Sequence, residues 1–522
     1  LADPGGYARR LRACAPDAWL VVEKILQPGE DLPVSWPVAG TTGYDALREL
    51  SGVFVDPDGE RKLTELAGQL GVATDFRAAQ EDAARLVADT ILVAEIRRIA
   101  ALLDGVERDT ARAAVAELLV SFGVYRSYLP EHGAHWAAAL DKAERARPDL
   151  APVLAAIDRW VRADPHGELA TRIQQTSGMI MGKGTEDTAF YRYTRFVALN
   201  EVGGTPDRFG VDVAEFHRVA AARAAGRPAT MTALSTHDTK RSEDVRARLA
   251  VLAELPGEFA DAVWRWSARH PIDEPALNLL AWQTLVGAWP ISAPRLADYL
   301  LKAAREAKLR TTWVDGDEAF EQTVTDWPER VLADADLAAD VGRFAHRLAP
   351  PGWSNALCQK LLHLAGPGVP DVYQGSELWD LSLVDPDNRR AVDYPVRREL
   401  LDRVVSGWQP DVDDIGAVKL LVVHRALTLR RDRPELFDGY LPLTAEGPAA
   451  RHVIAFARSA GLVAVATRLP VRLAADGGWR DTVLPLPAGA WTDVLTGRPV
   501  ADDVPALGDT LDRYPVALLV RR

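Results

Sequence analysis

Glu23 is a candidate for acid–base chemistry, because it interrupts an apolar run, AWLVVEKIL, over Ala18–Leu26. Continuous apolar runs of this length are typical of buried parallel strands. An ionised glutamate is unfavourable inside such a strand, so we expect Glu23 at a strand end, where barrel enzymes carry catalytic groups. The alternative is a structural glutamate that pairs with Lys24 or a neighbouring arginine.

Asp238 is a second candidate. It lies in the polar run Ser235–Arg241, STHDTKR, which follows the strand-like segment Thr230–Thr236. A carboxylate beside His237 can hold sugar hydroxyls and stabilise a cationic, oxocarbenium-like state. The alternative is that Thr236 or Asp238 caps the helix that follows.

A third segment, Met181–Tyr193, joins glycines, a lysine, two acids and three aromatic rings in MGKGTEDTAFYRY. Aromatic rings stack on the faces of sugars while charged groups bind their hydroxyls, so the segment indicates a sugar site. A phosphate-binding loop is disfavoured because the spacing GxxxxGK[ST] is absent.

Two carboxylates on different strand ends are what glycoside chemistry requires. In retaining enzymes one of them is a nucleophile, about 5–5.5 Å from the acid. The sequence after Glu23 offers no convincing nucleophile.

The elements that position these residues follow two patterns. Over 76–170 the sequence is strongly helical, with Leu92, Ile96, Ile99 and Leu103 on one helix face. Elsewhere, short apolar runs are followed by polar loops and then by helical patterns. Repeated strand, loop and helix favours the βα units of a parallel sheet or barrel, an α/β fold.

The last part of the chain differs. His452–Ala457 and Leu462–Leu469 are alternating segments that flank Arg458–Gly461, a hairpin signal. Further short strands are predicted around Val483–Leu486, Trp491–Leu495 and Val516–Val520. We expect a separate antiparallel β domain here.

Composition limits the partners. The chain has 61 basic and 74 acidic residues, a net charge of −13. Such a chain is a poor match for phosphate backbones or anionic membranes, so we expect neither nucleic acid nor membrane as a partner.

The two cysteines, Cys14 and Cys358, provide no disulfide framework and no zinc-ligand pair, which fits a cytoplasmic protein.

At this point the motifs resemble the maltooligosyltrehalose synthase family of the α-amylase superfamily. The resemblance rests on long ungapped segments: VVEKIL around Glu23, Leu32–Tyr44 (LPVSWPVAGTTGY), GKGTEDTAFYRY with Leu199–Gly204 (LNEVGG), Ser235–Arg248 (STHDTKRSEDVRAR) and Gly368–Asp393 (GVPDVYQGSELWDLSLVDPDNRRAVD). WPVAGTTGY and STHDTKRSEDVR separate this family from ordinary amylases.

The resemblance implies the later half of a (β/α)₈ barrel with a helical insertion, followed by a C-terminal antiparallel β-sandwich. It divides the chain into a barrel portion with the general-acid strand (1–75), a mainly helical insertion (76–170), the remaining barrel portion (171–408) and the β domain (409–522).

The resemblance also implies an isomerase that converts the reducing-end α-1,4 linkage of a maltooligosaccharide into an α,α-1,1 linkage. Glu23 would be the general acid/base and Asp238 the transition-state stabiliser. The expected substrate-binding residues are His237, Lys240, Lys183, Glu186, Asp187, Tyr191 and Arg126. Neither a metal nor an organic cofactor is implied.

In this family the nucleophilic aspartate lies a few residues ahead of LADPGGY, the segment with which this sequence begins. We therefore expect the nucleophile on a companion N-terminal segment before Leu1; Asp3 falls after the expected position. The alternatives are an amylase-type hydrolase and an inactive glycan-binding fragment. A maltooligosyltrehalose trehalohydrolase is the expected pathway partner.

Overall fold

The computed structural model describes residues 1–459, 461–500 and 503–522. Helices dominate the chain up to Asp432, and most strand residues lie after it. The first elements are α1 (Pro4–Cys14), β1 (Val21–Val22), β2 (Gly40–Thr41), α2 (Tyr44–Gly52) and α3 (Glu60–Gln69).

The predicted helical region is confirmed. Its elements are α4 (Phe76–Asp89), α5 (Val93–Ala100), α6 (Arg108–Val120), α7 (Gly133–Ala146) and α8 (Ala151–Ala163), and α9 (Glu168–Ile180) begins at its end. A π-helical segment (Met181–Ala189) and α10 (Phe190–Arg192) follow beyond the predicted region. Leu92, Ile96, Ile99 and Leu103 are all buried in one core cluster that these helices form among themselves. The helical spacing of the apolar residues thus predicts the buried face correctly.

The middle of the chain places two short strands among long helices. The elements are α11 (Val213–Gly226), β3 (Met231–Thr232), α12 (Glu243–Ala250), α13 (Pro256–Arg269), α14 (Pro275–Gly287), α15 (Ala293–Ala307), α16 (Glu318–Ala333), α17 (Ala335–Ala365), β4 (Val369–Pro370), α18 (Tyr394–Val405) and α19 (Ala417–Asp432). Helix α17 packs along α12 and α19, and α12 is buried on all sides.

The four short strands form two parallel pairs, β1 with β2 and β3 with β4. The Thr41 amide donates to Thr230 Oγ1 at 3.0 Å, which links the two pairs. The strands are shorter than the apolar runs predict. After β1 the backbone turns at once, because the Lys24 amide donates to the Val22 carbonyl at 3.0 Å. Strand pairing therefore stops before the charged half of VVEKIL.

The C-terminal strands form one antiparallel sheet in the order β5-β6-β7-β10-β8-β9. Its elements are β5 (Leu441–Leu443), β6 (Val453–Arg458), β7 (Leu462–Thr467), α20 (Pro470–Ala475), β8 (Trp491–Asp493), β9 (Pro499–Val500), α21 (Leu507–Thr510) and β10 (Val516–Arg521). The predicted hairpin is β6–β7; Ala460 of its turn lies outside the described residues. The antiparallel character is confirmed.

The described strands of this region do not form the two sheets of a sandwich. On one sheet face Ile454 and Phe456 join the main core beneath α17. On the other face Val453 and Ala455 pack with Leu484 and further residues from the connecting segments. The predicted strand around Val483 is only an isolated bridge to Glu446 and Ala506. Connecting segments thus cover the second face, where a sandwich would have a second sheet.

A cluster of buried charges lies between α12, α17 and α19. Glu243 Oε1 contacts Lys360 Nζ at 2.6 Å and Lys419 Nζ at 2.8 Å, and Lys419 also contacts Asp244 at 2.7 Å. Removing one partner of a buried pair leaves an uncompensated charge and costs about 3–5 kcal/mol. The cluster therefore sets the position of α12, which follows the loop that carries Asp238.

Cys14 is exposed and Cys358 is buried, and both are free thiols. None of the helices in the described part of the chain has the length and apolar composition needed to cross a bilayer.

Candidate active site

The candidate catalytic residues lie at the carboxyl ends of the short parallel strands. Glu23 directly follows β1, and Asp238 lies six residues after the end of β3. Parallel strands that are paired side by side present their carboxyl ends at the same edge. Both carboxylates line one cavity of about 590 Å³.

The cavity wall combines carboxylates, aromatic rings and amides. Its lining residues are Leu1, Glu23, Lys24, Ile25, Tyr125, Arg126, Tyr128, Gln174, Gln175, Gly178, Met179, Glu186, Val202 and Asp238. Four of the predicted site residues therefore share this wall: Glu23, Asp238, Glu186 and Arg126. Hydrogen-bonding groups beside aromatic rings suit a polyhydroxylated ligand.

The Glu23 side chain is exposed at the cavity, and among the described residues it forms no ion pair. Its neighbour Lys24 is buried and pairs with Glu30, with 2.6 Å between Nζ and Oε1. The alternative in which Glu23 pairs with Lys24 is therefore wrong. The β1 run also does not bury Glu23, because the strand ends at Val22.

The loop that carries Asp238 is held through its backbone. The Asp238 amide donates to Thr236 Oγ1 at 3.1 Å, and the Tyr44 hydroxyl lies 3.0 Å from the same oxygen. The Asn388 side-chain amide donates to the carbonyls of Thr236 and His237 at 3.3 and 3.1 Å. These contacts leave the Asp238 carboxylate free to face the cavity.

Neither Thr236 nor Asp238 caps helix α12, so this alternative is also wrong. The first amide of the helix, that of Glu243, donates to Ser235 Oγ at 3.0 Å. Ser235 lies eight residues before Glu243, and the polar loop between them contributes Asp238 to the cavity wall.

Glu186 is a buried carboxyl whose contacts come from two other segments. Its Oε1 accepts a hydrogen bond from the Tyr125 hydroxyl and another from the Gly203 amide at 3.2 Å. Burial raises the pKa of Glu186 to about 7, although Lys240, Tyr125 and Gly203 oppose the shift. The group therefore changes charge near neutral pH at the wall of the cavity.

Asp187 bridges the two predicted lysines. Its carboxylate contacts Lys183 Nζ at 2.7 Å and Lys240 Nζ at 2.9 Å. Burial works against its charge, but Lys240 and Lys183 lower the pKa of Asp187 overall. Burial likewise opposes the charge of Lys240, yet Tyr191, Asp187 and Glu186 raise its pKa. Both partners therefore stay ionised.

Five of the predicted site residues do not line this cavity: His237, Lys240, Lys183, Asp187 and Tyr191. Tyr191 is buried in the main core, so its ring offers no free face for stacking on a sugar. The His237 side chain is exposed and is not part of the cavity wall. Arg126 donates to the carbonyls of Leu1 and Ala2 at 2.7 and 3.1 Å, and its guanidinium lies over the Tyr128 ring.

Sequence reasoning missed Tyr125, Tyr128 and Gln174 as wall residues. The signal was present in FGVYRSY, where two tyrosines flank an arginine inside an otherwise helical region. That segment is a loop, and the wall groups come from it and from α9.

Comparison with known proteins gives consistent matches. A solved structure of maltooligosyltrehalose synthase from Arthrobacter ramosus is 48% identical with a TM-score of 0.97, and the match covers 100% of this chain and 69% of that chain. A Mycobacterium tuberculosis protein named as a maltooligosyl trehalose synthase is 45% identical, over 100% of this chain and 68% of the relative. The solved structure of a hypothetical maltooligosyl trehalose synthase from Sulfolobus tokodaii is 26% identical with a TM-score of 0.81, covering 100% of this chain and 68% of that chain. No protein-family model matches the chain.

Proposed function

The chain belongs to the maltooligosyltrehalose synthase family, and on this premise we propose that it converts the reducing-end α-1,4 linkage of a maltooligosaccharide into an α,α-1,1 linkage. The product is a maltooligosaccharide that ends in a trehalose unit. The reaction is an intramolecular transfer of a glycosyl group, and hence an isomerisation. A maltooligosyltrehalose trehalohydrolase is the proposed consumer of this product.

The observation that carries the proposal is the single cavity that Glu23 and Asp238 share. One carboxyl is unpaired and can exchange a proton, and the other faces the same space from a loop held by its backbone. A glycosidic bond placed between them would meet both a proton donor and a negative charge.

The proposed architecture follows from the same strands. We infer that β1, β2, β3 and β4 belong to a (β/α)₈ barrel and that 76–170 is a helical insertion beside the cavity. In this division 1–75 and 171–408 supply barrel elements, and 409–522 supplies the C-terminal β domain.

The first half of the proposed mechanism is formation of a glycosyl-enzyme. Glu23 donates its proton to the glycosidic oxygen, the bond between that oxygen and the anomeric carbon of the preceding sugar breaks, and the terminal glucose leaves with the oxygen as a hydroxyl. The aspartate expected ahead of Leu1 attacks the anomeric carbon and forms an ester. Asp238 stabilises the positive charge that develops on the sugar ring.

In the second half the freed glucose turns and offers its 1-hydroxyl. Glu23, now a carboxylate, accepts the hydroxyl proton while that oxygen attacks the anomeric carbon and the ester breaks. Configuration is retained because two displacements occur. Water must stay out, since it would otherwise attack in place of glucose.

Lys240→Ala is expected to raise the share of free glucose among the products about tenfold, because we propose that Lys240 helps to hold the freed sugar until it is recaptured. The lysine is nearly buried beside Asp187, so its charge is aimed at a defined position. Chromatography of products measures the ratio. Lys142→Ala, which removes a half-exposed lysine paired with Glu81, is the control. An unchanged ratio in Lys240→Ala contradicts a retention role.

The pH dependence of KM is expected to follow the ionisation of the Glu186 carboxyl. Its pKa of about 7 means that the carboxyl is neutral below that pH and charged above it. A carboxylate binds hydroxyls more strongly than a neutral acid does, so KM should fall about threefold or more as pH rises from 6 to 8.

Glu186→Gln should flatten this profile. Glu254→Gln is the matched control, because burial also raises the pKa of Glu254 to about 7 but its carboxylate binds the Arg472 amide outside the cavity. If the change of KM between pH 6 and pH 8 persists in Glu186→Gln and disappears in Glu254→Gln, the change does not come from Glu186.

The direct test of function incubates the protein with a maltooligosaccharide and follows reducing ends and mass. Loss of reducing ends at constant mass supports the mutase, and a rise in reducing ends identifies a hydrolase. The assay is run on the 522-residue chain and on the chain supplied with the expected upstream segment. Binding without turnover in both preparations would favour a glycan-binding role and contradict the proposal.

A further inference from the structure

Two buried charged residues near the cavity have no part in the proposed chemistry. Glu201 and Arg246 form an ion pair with 3.1 Å between Oε2 and a guanidinium nitrogen, and each side chain is almost completely buried. Glu201 lies in LNEVGG, and Arg246 lies on α12. Taking both charges out of water is unfavourable unless further hydrogen bonds satisfy them.

The Glu201 carboxylate binds the end of the loop that carries His237 and Asp238. It accepts from the Lys240 amide at 2.6 Å and from the Arg241 amide at 3.2 Å. A carboxylate that accepts two adjacent backbone N–H groups fixes the direction of the chain at that point.

The Arg246 guanidinium binds both sides of the same loop. It donates to the carbonyl of Leu234, just before the loop, and to the carbonyl of Arg241, at its end. Its Nε donates to Ser51 Oγ at 3.3 Å on helix α2. One rigid, planar group therefore holds the two loop ends at a set separation.

We propose that the Glu201–Arg246 pair is a clamp that closes the base of the loop 235–241 and so positions Asp238 at the cavity. The catalytic part of this inference rests on the proposed function. An apolar pair could fill the same space without the desolvation penalty, but it would leave these backbone donors and acceptors unpaired.

The first test measures amide hydrogen exchange of the whole chain in Glu201→Gln and Arg246→Lys. Exchange of the Lys240 and Arg241 amides should rise about tenfold or more, because the charge-assisted acceptor or its support is lost. Exchange in β7 should stay unchanged. Arg246→Lys keeps the charge but lacks the planar fork whose separate nitrogens reach Leu234 and Arg241, so it tests the clamp if Glu201→Gln does not fold.

Glu49→Gln is the matched control. Glu49 pairs with Arg223 at 2.6 Å and is similarly buried, but this pair joins α2 to α11 and does not contact the loop. It should leave loop exchange at the wild-type rate. Equal loop exchange in wild type and both clamp variants, or the same increase in Glu49→Gln, would overturn the clamp.

The second test measures turnover. In the clamp variants kcat should fall about tenfold or more while KM changes less than twofold, and Glu49→Gln should keep the wild-type kcat. An equal loss of kcat in Glu49→Gln would mean that breaking any buried ion pair lowers activity through general destabilisation. It would overturn the positioning role of the clamp. Because exchange needs no turnover, a failure of the proposed function leaves the structural clamp testable on its own.

Discussion

Glu23→Gln is expected to lower turnover about 10⁴-fold while glycan binding stays within about twofold of wild type. Glutamine has nearly the shape of glutamate but cannot give up or take a proton at neutral pH. Both halves of the proposed mechanism need that proton. Binding persists because the amide still offers hydrogen-bonding groups to the sugar.

The structure predicts that this variant folds normally. Glu23 is exposed and forms no ion pair among the described residues, so its removal leaves no buried charge unpaired. The free energy of unfolding should change by less than about 0.5 kcal/mol. Glu65→Gln on α3 is the control, since Glu65 is an exposed glutamate in a surface pair with Arg61.

An activated substrate separates an acid role from general damage. Fluoride leaves a glycosyl fluoride without protonation, so the first turnover of Glu23→Gln, a burst of one fluoride per active site from a maltosyl fluoride, should occur at a rate within about tenfold of wild type in a preparation that turns over. Later turnovers stay slow, because Glu23 is also the base of the second half. Near-normal turnover of maltooligosaccharide by Glu23→Gln would disprove the assignment. Loss of fluoride release would indicate a role other than proton donation.

Local patterns predicted the helical region and the hairpin because short-range periodicity decides both. Ile96 and Ile99 are three residues apart, and one turn of helix places them on the same face. Val453 and Thr467 are paired through a short turn that the sequence marks. No distant part of the chain is needed to explain either feature.

The wall of the site could not be predicted in this way. Tyr125 bonds Glu186 across 61 residues, and Glu201 binds Arg246 across 45. Such contacts depend on how the helices pack, and no periodicity records them. Tyr191 is the converse case: its motif suggested a sugar platform, but main-core packing buries the ring.

The pattern also gave the wrong lengths for the strands. A long apolar run predicts a long buried strand, yet only Val21–Val22 pairs with β2. The chain turns at Lys24, whose ammonium is held by Glu30. The roles of the site residues stay predictions that the variants must decide.

Asp238→Asn is expected to lower turnover about 10³-fold with little change in ground-state binding, because the carboxylate acts on charge that develops only in the transition state. Asp238 is fixed through its amide and through the neighbouring carbonyls of Thr236 and His237, and none of these contacts uses its carboxylate. Asparagine should therefore keep the loop in place while it removes the charge.

Glycosyl fluoride distinguishes this variant from Glu23→Gln. The transition state is oxocarbenium-like whether or not the leaving group needs a proton, so fluoride release by Asp238→Asn should remain about 10³-fold below wild type. Asp58→Asn, at an exposed turn before α3, is the control and should keep full activity. If Asp238→Asn releases fluoride at the wild-type rate, Asp238 acts in proton transfer. If its turnover falls by less than about tenfold, the Asp238 carboxylate does not stabilise the transition state.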